Sequence, residues 1–176
     1  MNIGKRLENN FRDSIPDEVM YHRLKDSAQS FGGANNLRFS SKNPCDCFMF
    51  YSPVFFALEM KSVGTPSISF ERTRGESQKR IHYHQIEGLK NFNRYRNVIA
   101  GFVFNFRHKD GVDNCYFQHI SDFNTMIDNI SKKSFNEKDL LRFNPLFIES
   151  KKKKVNYNYN ISKFINDAMQ KYNIKK

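Results

Sequence analysis

The sequence predicts a mixed α/β fold, a central sheet with helices packed on its faces. Three observations carry that expectation. Two runs, Val54–Lys61 and Val98–Phe106, are apolar at odd and even positions alike, as strands covered on both sides are. Around them, apolar residues recur at spacings of three and four, the period of half-buried helices. The 176 residues also hold 18 Phe and 8 Tyr, ample bulk for a core in a chain of this length.

The elements follow in order. Residues 3–13 form a helix, with Ile3, Leu7 and Phe11 on one face and Pro16 beyond its end. Val19–Leu24 is a short strand. Residues 25–43 are an irregular basic excursion, too long for an ordinary turn. Asp46–Tyr51 and Val54–Lys61 are strands joined at Ser52-Pro53. A second polar, basic stretch spans 62–81, with Gly64, Pro66 and Gly75. His82–Tyr95 is a helix on Ile86, Leu89 and Phe92. After strand Val98–Phe106, a turn at Lys109-Asp110-Gly111 leads to strand Asp113–Ile120. Phe102, Phe104 and Phe106 alternate on their strand and read as core, not as a base-stacking platform. Ser121 caps a helix running to about Ile130, and an Asn caps a short helix at 136–142. Lys151–Lys154 is a basic linker. Residues 160–173 close the chain with an amphipathic helix on Ile161, Phe164, Ile165, Ala168 and Met169.

Charge narrows the partner. Lys and Arg number 29 against 18 Asp and Glu, a formal net charge of +11, which points to a polyanion and first to nucleic acid. No stretch approaches the ~20 apolar residues of a membrane span. The N-terminus, Met1 to Glu8, is polar from its start and lacks a signal-peptide core. The expectation is a cytoplasmic protein with no membrane partner and no small-molecule cofactor. The three cysteines, Cys45, Cys47 and Cys115, are odd in number, and Cys-x-Cys is not zinc spacing; they read as reduced thiols.

Two charges then sit where none should. Glu59 and Lys61 end a strand that is otherwise apolar, and period two puts both on the face of Phe55 and Ala57. Burying such groups costs several kcal/mol unless they are paired or bind something. A hairpin around Ser52-Pro53 brings Asp46 opposite the far end of the second strand, so Asp46, Glu59 and Lys61 gather at one sheet edge. Two carboxylates suit Mg²⁺, which keeps several waters and needs few protein ligands. Such a metal polarises a phosphodiester and acidifies a water. The lysine holds or deprotonates that water, or neutralises charge on the phosphate. On spacing alone, an ordinary Glu–Lys surface pair remains the alternative.

Asp46 followed by Glu59-Met60-Lys61 resembles the PD-(D/E)XK nuclease core. Asn2-Ile3-Gly4-Lys5-Arg6-Leu7-Glu8 and His84-Gln85-Ile86-Glu87 are similar to the opening helix and the post-catalytic helix of RecU-type Holliday junction resolvases. The resemblance implies one nuclease domain over 1–176, with a restriction-endonuclease-like mixed central sheet flanked by helices. It implies a Mg²⁺-dependent endonuclease, with Mn²⁺ as a possible substitute, that resolves four-way DNA junctions as a homodimer. Asp46 and Glu59 would hold the metal, joined by the Met60 carbonyl. Lys61 would act on the water or the transition state, Glu8 through a water, and Gln85 by orienting water or the lysine. The chain departs from the family at Pro44-Cys45, where a Thr-Thr pair is common, and its excursion at 25–43 is short for the family's junction-entering stalk. A same-fold nuclease with a restriction or repair target and an inactive DNA-binding module are the other readings.

DNA-backbone contacts are expected from basic segments beside the site. Those are Arg38 in the excursion and Arg72, Arg74, Lys79 and Arg80 before the helix, with His84 as a phosphate or cap contact. His82 and His84, one residue apart, would point away from each other on a helix and share no metal. Lys151–Lys154 would bind DNA or stay solvated.

Overall fold

The computed structural model describes residues 3–24, 43–76 and 78–175. All of the 25–43 excursion except Asn43 lies outside them, and Arg38 with it. In chain order the elements are α1 (Ile3–Arg12), β1 (Met20–Arg23), β2 (Cys47–Tyr51), β3 (Val54–Val63), β4 (Ile68–Ser69) and α2 (Tyr83–Phe92). Then come β5 (Val98–Arg107), β6 (Asp113–His119), α3 (Ile120–Asn129), β7 (Ser134–Phe135) and α4 (Glu137–Leu141). The last four are β8 (Leu146–Phe147), β9 (Ser150–Lys153), β10 (Asn156–Tyr159) and α5 (Ile161–Lys171).

A six-stranded sheet, ordered β1-β2-β3-β5-β6-β8, divides the molecule. β3 and β5 are parallel, in register from Phe55↔Val98 to Val63↔Phe106, and α2 makes the crossover between them. Every other neighbour in this sheet is antiparallel. The mixed central sheet flanked by helices is therefore as the sequence predicts.

Strand periodicity sorts the core into two layers. Phe56, Leu58 and Met60 of β3 pack under α1 and α5, with Leu7, Phe11, Phe164 and Ile165. The other face carries Ala57, Phe102 and Phe104 against Ile86 and Leu89 of α2 and Phe123 and Met126 of α3. Phe102, Phe104 and Phe106 are buried core residues, and Phe102 lies 4.6 Å from Phe123, ring centre to ring centre. Among the described residues no helix is long and apolar enough to cross a membrane.

Three expectations are corrected. The lysine run is no linker: Lys151–Lys153 belong to β9, which pairs with β10, and Lys154 takes the turn at φ 54°. Lysine is a poor strand former, so the pairing comes from the Tyr-alternating partner Asn156–Tyr159. The stretch 62–81 is not a polar loop throughout. Ile68, Phe70 and Ile81 are fully buried, and β4 pairs with β7. Three apolar residues scattered among charges leave no periodicity to read. Ser121 does not cap α3; the helix starts at Ile120, the cap lies two residues earlier at His119, and the His119 ring accepts from the Ser121 N–H at 3.3 Å.

Gly88 is where the fold holds α2 against the chain entering β2. A Cβ there would lie 2.6 Å from the Pro44 carbonyl oxygen, two residues before Asp46. Gly88→Ala adds about 1 kcal/mol of helix propensity. Overpacking against fixed backbone costs about 1–3 kcal/mol. The expected net loss is up to about 2 kcal/mol, read as a lower urea midpoint. Unchanged or higher stability would show that α2 moves freely over Pro44.

Candidate active site

The β2–β3 hairpin builds the site. Asp46, immediately before β2, donates its N–H to the Leu58 carbonyl at 3.0 Å, which sets it beside the second half of β3. Its Oδ2 accepts the Met60 N–H at 2.7 Å. Glu59 follows Leu58 on the opposite strand face and is only 2% exposed. Lys61, one pleat on, places its Nζ 2.8 Å from Glu59 Oε1. The hairpin thus brings together the three charges expected at one edge.

Gln85 closes the group from α2. Its Oε1 accepts the His82 N–H at 3.0 Å, and its Nε2 donates to Glu59 Oε1. The first bond fixes the amide's orientation, since only the oxygen accepts from an N–H. Glu71 fixes the helix start: it accepts the Tyr83 N–H at 2.7 Å and faces His82 Nδ1 at 3.0 Å. Burial pushes the Glu71 carboxyl up, but those two partners outweigh it and hold it below its ordinary range. Glu8 approaches from α1, paired with Arg23 of β1 at 2.5 Å.

The electrostatics single out the carboxylates. Burial pushes Glu59 up, Lys61 pulls it down, and the charges of Asp46 and Glu8 push it up again, to about 7. Burial also raises Asp46 above its ordinary range, against the Met60 N–H and Lys61. Glu8 acts on both groups. Cys45 lies in the same field; burial, then Glu59 and Asp46, push its thiol up to about 12, so it stays protonated.

Among the described residues no group of three or more His, Cys, Asp and Glu side chains is placed to hold a metal ion. Any ion here would rest on two carboxylates, the Met60 carbonyl and water. That hard-oxygen set with few protein ligands fits Mg²⁺ or Mn²⁺.

The proposed DNA contacts separate. Arg72 is tied down: its guanidinium donates to the Ile130 and Lys132 carbonyls and lies 5.2 Å from the Phe70 ring centre, so it braces the fold. Arg74 and His84 line a groove along α2 with Glu87 and Asn91. Arg80 lines a different groove, beside Lys61, with Ser62 and Arg107. Lys79 is half-buried and lines neither groove. The His82 and His84 rings do not point apart; they stack 5.5 Å apart, because His82 is the extended N-cap and not a helical residue.

Sequence reasoning missed Arg23, Glu71 and Arg107. Arg107 ends the apolar strand β5, the same signal that singled out Glu59 and Lys61 on β3. Arg23 and Glu71 carry no local signal, since their partners lie 15 and 12 residues away.

The chain is 35% identical over 186 residues to the SPbeta prophage-derived uncharacterized protein YotM of Bacillus subtilis (strain 168), covering 97% of this chain and 88% of that protein. Among solved structures, Archaeoglobus fulgidus Hjc, a Holliday junction resolvase from an archaeal hyperthermophile, is 14% identical with a TM-score of 0.42, covering 82% of this chain and 93% of that one. No protein-family model matches.

Proposed function

The chain belongs to the family of the prophage-derived protein YotM, and from that premise we propose that it is a phage-borne, divalent-metal-dependent DNA endonuclease of the RecU type, acting on four-way junctions. One observation carries the reading: half-buried Asp46, held on the Met60 N–H, lies within the electrostatic reach of buried Glu59, with Lys61 and Gln85 closing on Glu59. A protein of net charge +11 has no structural need to bury one carboxylate and half-bury a second within its field. A site that binds a cation and a polyanion does.

Asp46, Glu59 and the Met60 carbonyl would hold Mg²⁺, or Mn²⁺ in its place. When bound, the metal supplies polarisation of the phosphodiester and acidification of a water. Lys61 positions that water and opposes negative charge on the phosphate. Gln85, locked by the His82 N–H, keeps Glu59 in place. Glu8 reaches the site through water. A homodimer would present two such sites to the two-fold symmetry of a junction.

The test offers purified protein labelled four-way junctions, linear duplex and single strands, in Mg²⁺ or EDTA, beside Asp46→Asn. The expected result is paired nicking of junctions in Mg²⁺ only, with Asp46→Asn inactive. Equal cutting of linear duplex would leave a nuclease with another target. No metal-dependent cutting would leave a DNA-binding module. An active Asp46→Asn would remove the site assignment.

A further inference from the structure

We propose that the β9–β10 hairpin, with Arg6 and Arg107 beneath it, is a second phosphate-binding surface that holds a duplex arm leading away from the cutting site. The inference rests on the nuclease reading and goes beyond it by placing a DNA contact surface outside the metal pocket.

Strand alternation divides the lysine run. Lys151 faces a depression shared with Glu149 and Asn160. Lys152 and Lys154 face the opposite way, into a groove lined by Arg6, Arg107, His108 and Asp113. Four cations therefore meet one carboxylate there. Asp113 pairs with Arg6 at 3.6 Å and is itself 9% exposed, so it lies under the cations and does not compete at the surface. Lys152 is tethered at the rim: its Nζ donates to the Gly111 carbonyl at 2.9 Å, which also accepts from the Tyr157 hydroxyl. An ammonium has three donors, so others remain for a ligand. A merely solvated lysine face would show no such sorting into a concave, cation-lined groove.

Arg107 joins this groove to the active site. It lines the cleft beside Lys61 and Arg80 as well as the cleft under the hairpin. Its guanidinium passes over Gly64, where a Cβ would come within 2.7 Å of Nη2. Its Nε is buried with no hydrogen-bond partner among the described residues. The basic track thus runs from Lys61 across the end of β5 to Lys152 and Lys154. Closely spaced cations repel one another and attract a regular polyanion, and duplex DNA supplies phosphates along such a track.

The test compares two double variants of identical charge change. Lys152→Glu with Lys154→Glu removes the groove-facing pair; Lys151→Glu with Lys153→Glu removes the pair facing away. Binding to a labelled four-way junction with long duplex arms is measured in EDTA across a salt series. The groove-facing pair is expected to lower affinity at least about tenfold. It should also flatten the slope of log affinity against log salt by about 2, since each lost phosphate contact removes about 0.9. Lys154→Glu alone should give about half that flattening, and the away-facing pair little. Both double variants should keep the wild-type melting temperature. Equal losses from both pairs would reduce the effect to bulk charge and overturn this inference alone. A wild type that binds no DNA would overturn it together with the nuclease reading.

Discussion

Lys61→Ala is expected to slow metal-dependent cutting by about 10²–10³-fold, the usual cost of removing one preorganised charge from a transition state. Lys61 sits at the mouth of the pocket, its Nζ 2.8 Å from Glu59 and its side chain 18% exposed, so it reaches both the buried acid and an arriving phosphate. Its loss has a second consequence. Lys61 pulls the Glu59 carboxyl down against burial, and without it the carboxyl holds its proton more firmly. Metal must then compete with that proton, and the Mg²⁺ needed for half-maximal rate should rise. The two effects separate by titration. Saturating Mg²⁺ restores the metal-binding part and leaves the loss in kcat. Lys61→Arg keeps a positive charge but replaces a compact ammonium by a planar fork, and is expected to recover only part of the rate. Full recovery of Lys61→Ala by Mg²⁺ alone would make the lysine a partner of Glu59 and nothing more.

The parts that were legible in the sequence were those that a local period encodes. The two-sided apolar strands gave β3 and β5 and, with them, the helix between. The charges on β3 stood out because they broke that pattern. The hairpin at Ser52-Pro53 carried Asp46 to them by register, since Cys47 faces Leu58 and Asp46 bonds the same residue. What the sequence hid depends on distant partners. Arg72 and Arg80 look alike in a basic stretch, yet one braces the Ile130 carbonyl and the other lines the cleft by Lys61. Only the burial of Phe70, fixed by β7 and α3 far along the chain, separates them. The lysine run was unreadable for the same reason, because the strand that orders it follows it and is mostly polar.

Glu59→Gln is expected to stabilise the metal-free protein at high pH while removing its response to Mg²⁺. Burial raises Glu59 in the folded chain to about 7 from its ordinary 4.5, so the folded state holds this proton more tightly than the unfolded one. Below the ordinary value both states are protonated and the contribution to stability is complete. As pH climbs toward 7 the unfolded chain ionises first, and the contribution drains away until the folded carboxyl ionises too. The loss is up to about 3 kcal/mol, at 1.36 kcal/mol per unit. Asp46, raised in the same direction, adds to the slope. Glutamine is neutral throughout and still accepts the Gln85 amide, so the variant lacks this part of the slope and its advantage over wild type should grow from pH 5 to pH 8. Metal reverses the order: Mg²⁺ binds the ionised acid and should stabilise wild type at pH 8, with little gain for the variant. Urea denaturation at both pH values, in EDTA and in Mg²⁺, gives the four comparisons for each protein. Parallel pH curves for the two proteins in EDTA would mean that Glu59 is charged and well compensated without metal. The physical case for a cation site between Asp46 and Glu59 would then be lost. A stability cost confined to the ionised pocket and removed by Mg²⁺ is what separates a binding site from a buried salt bridge.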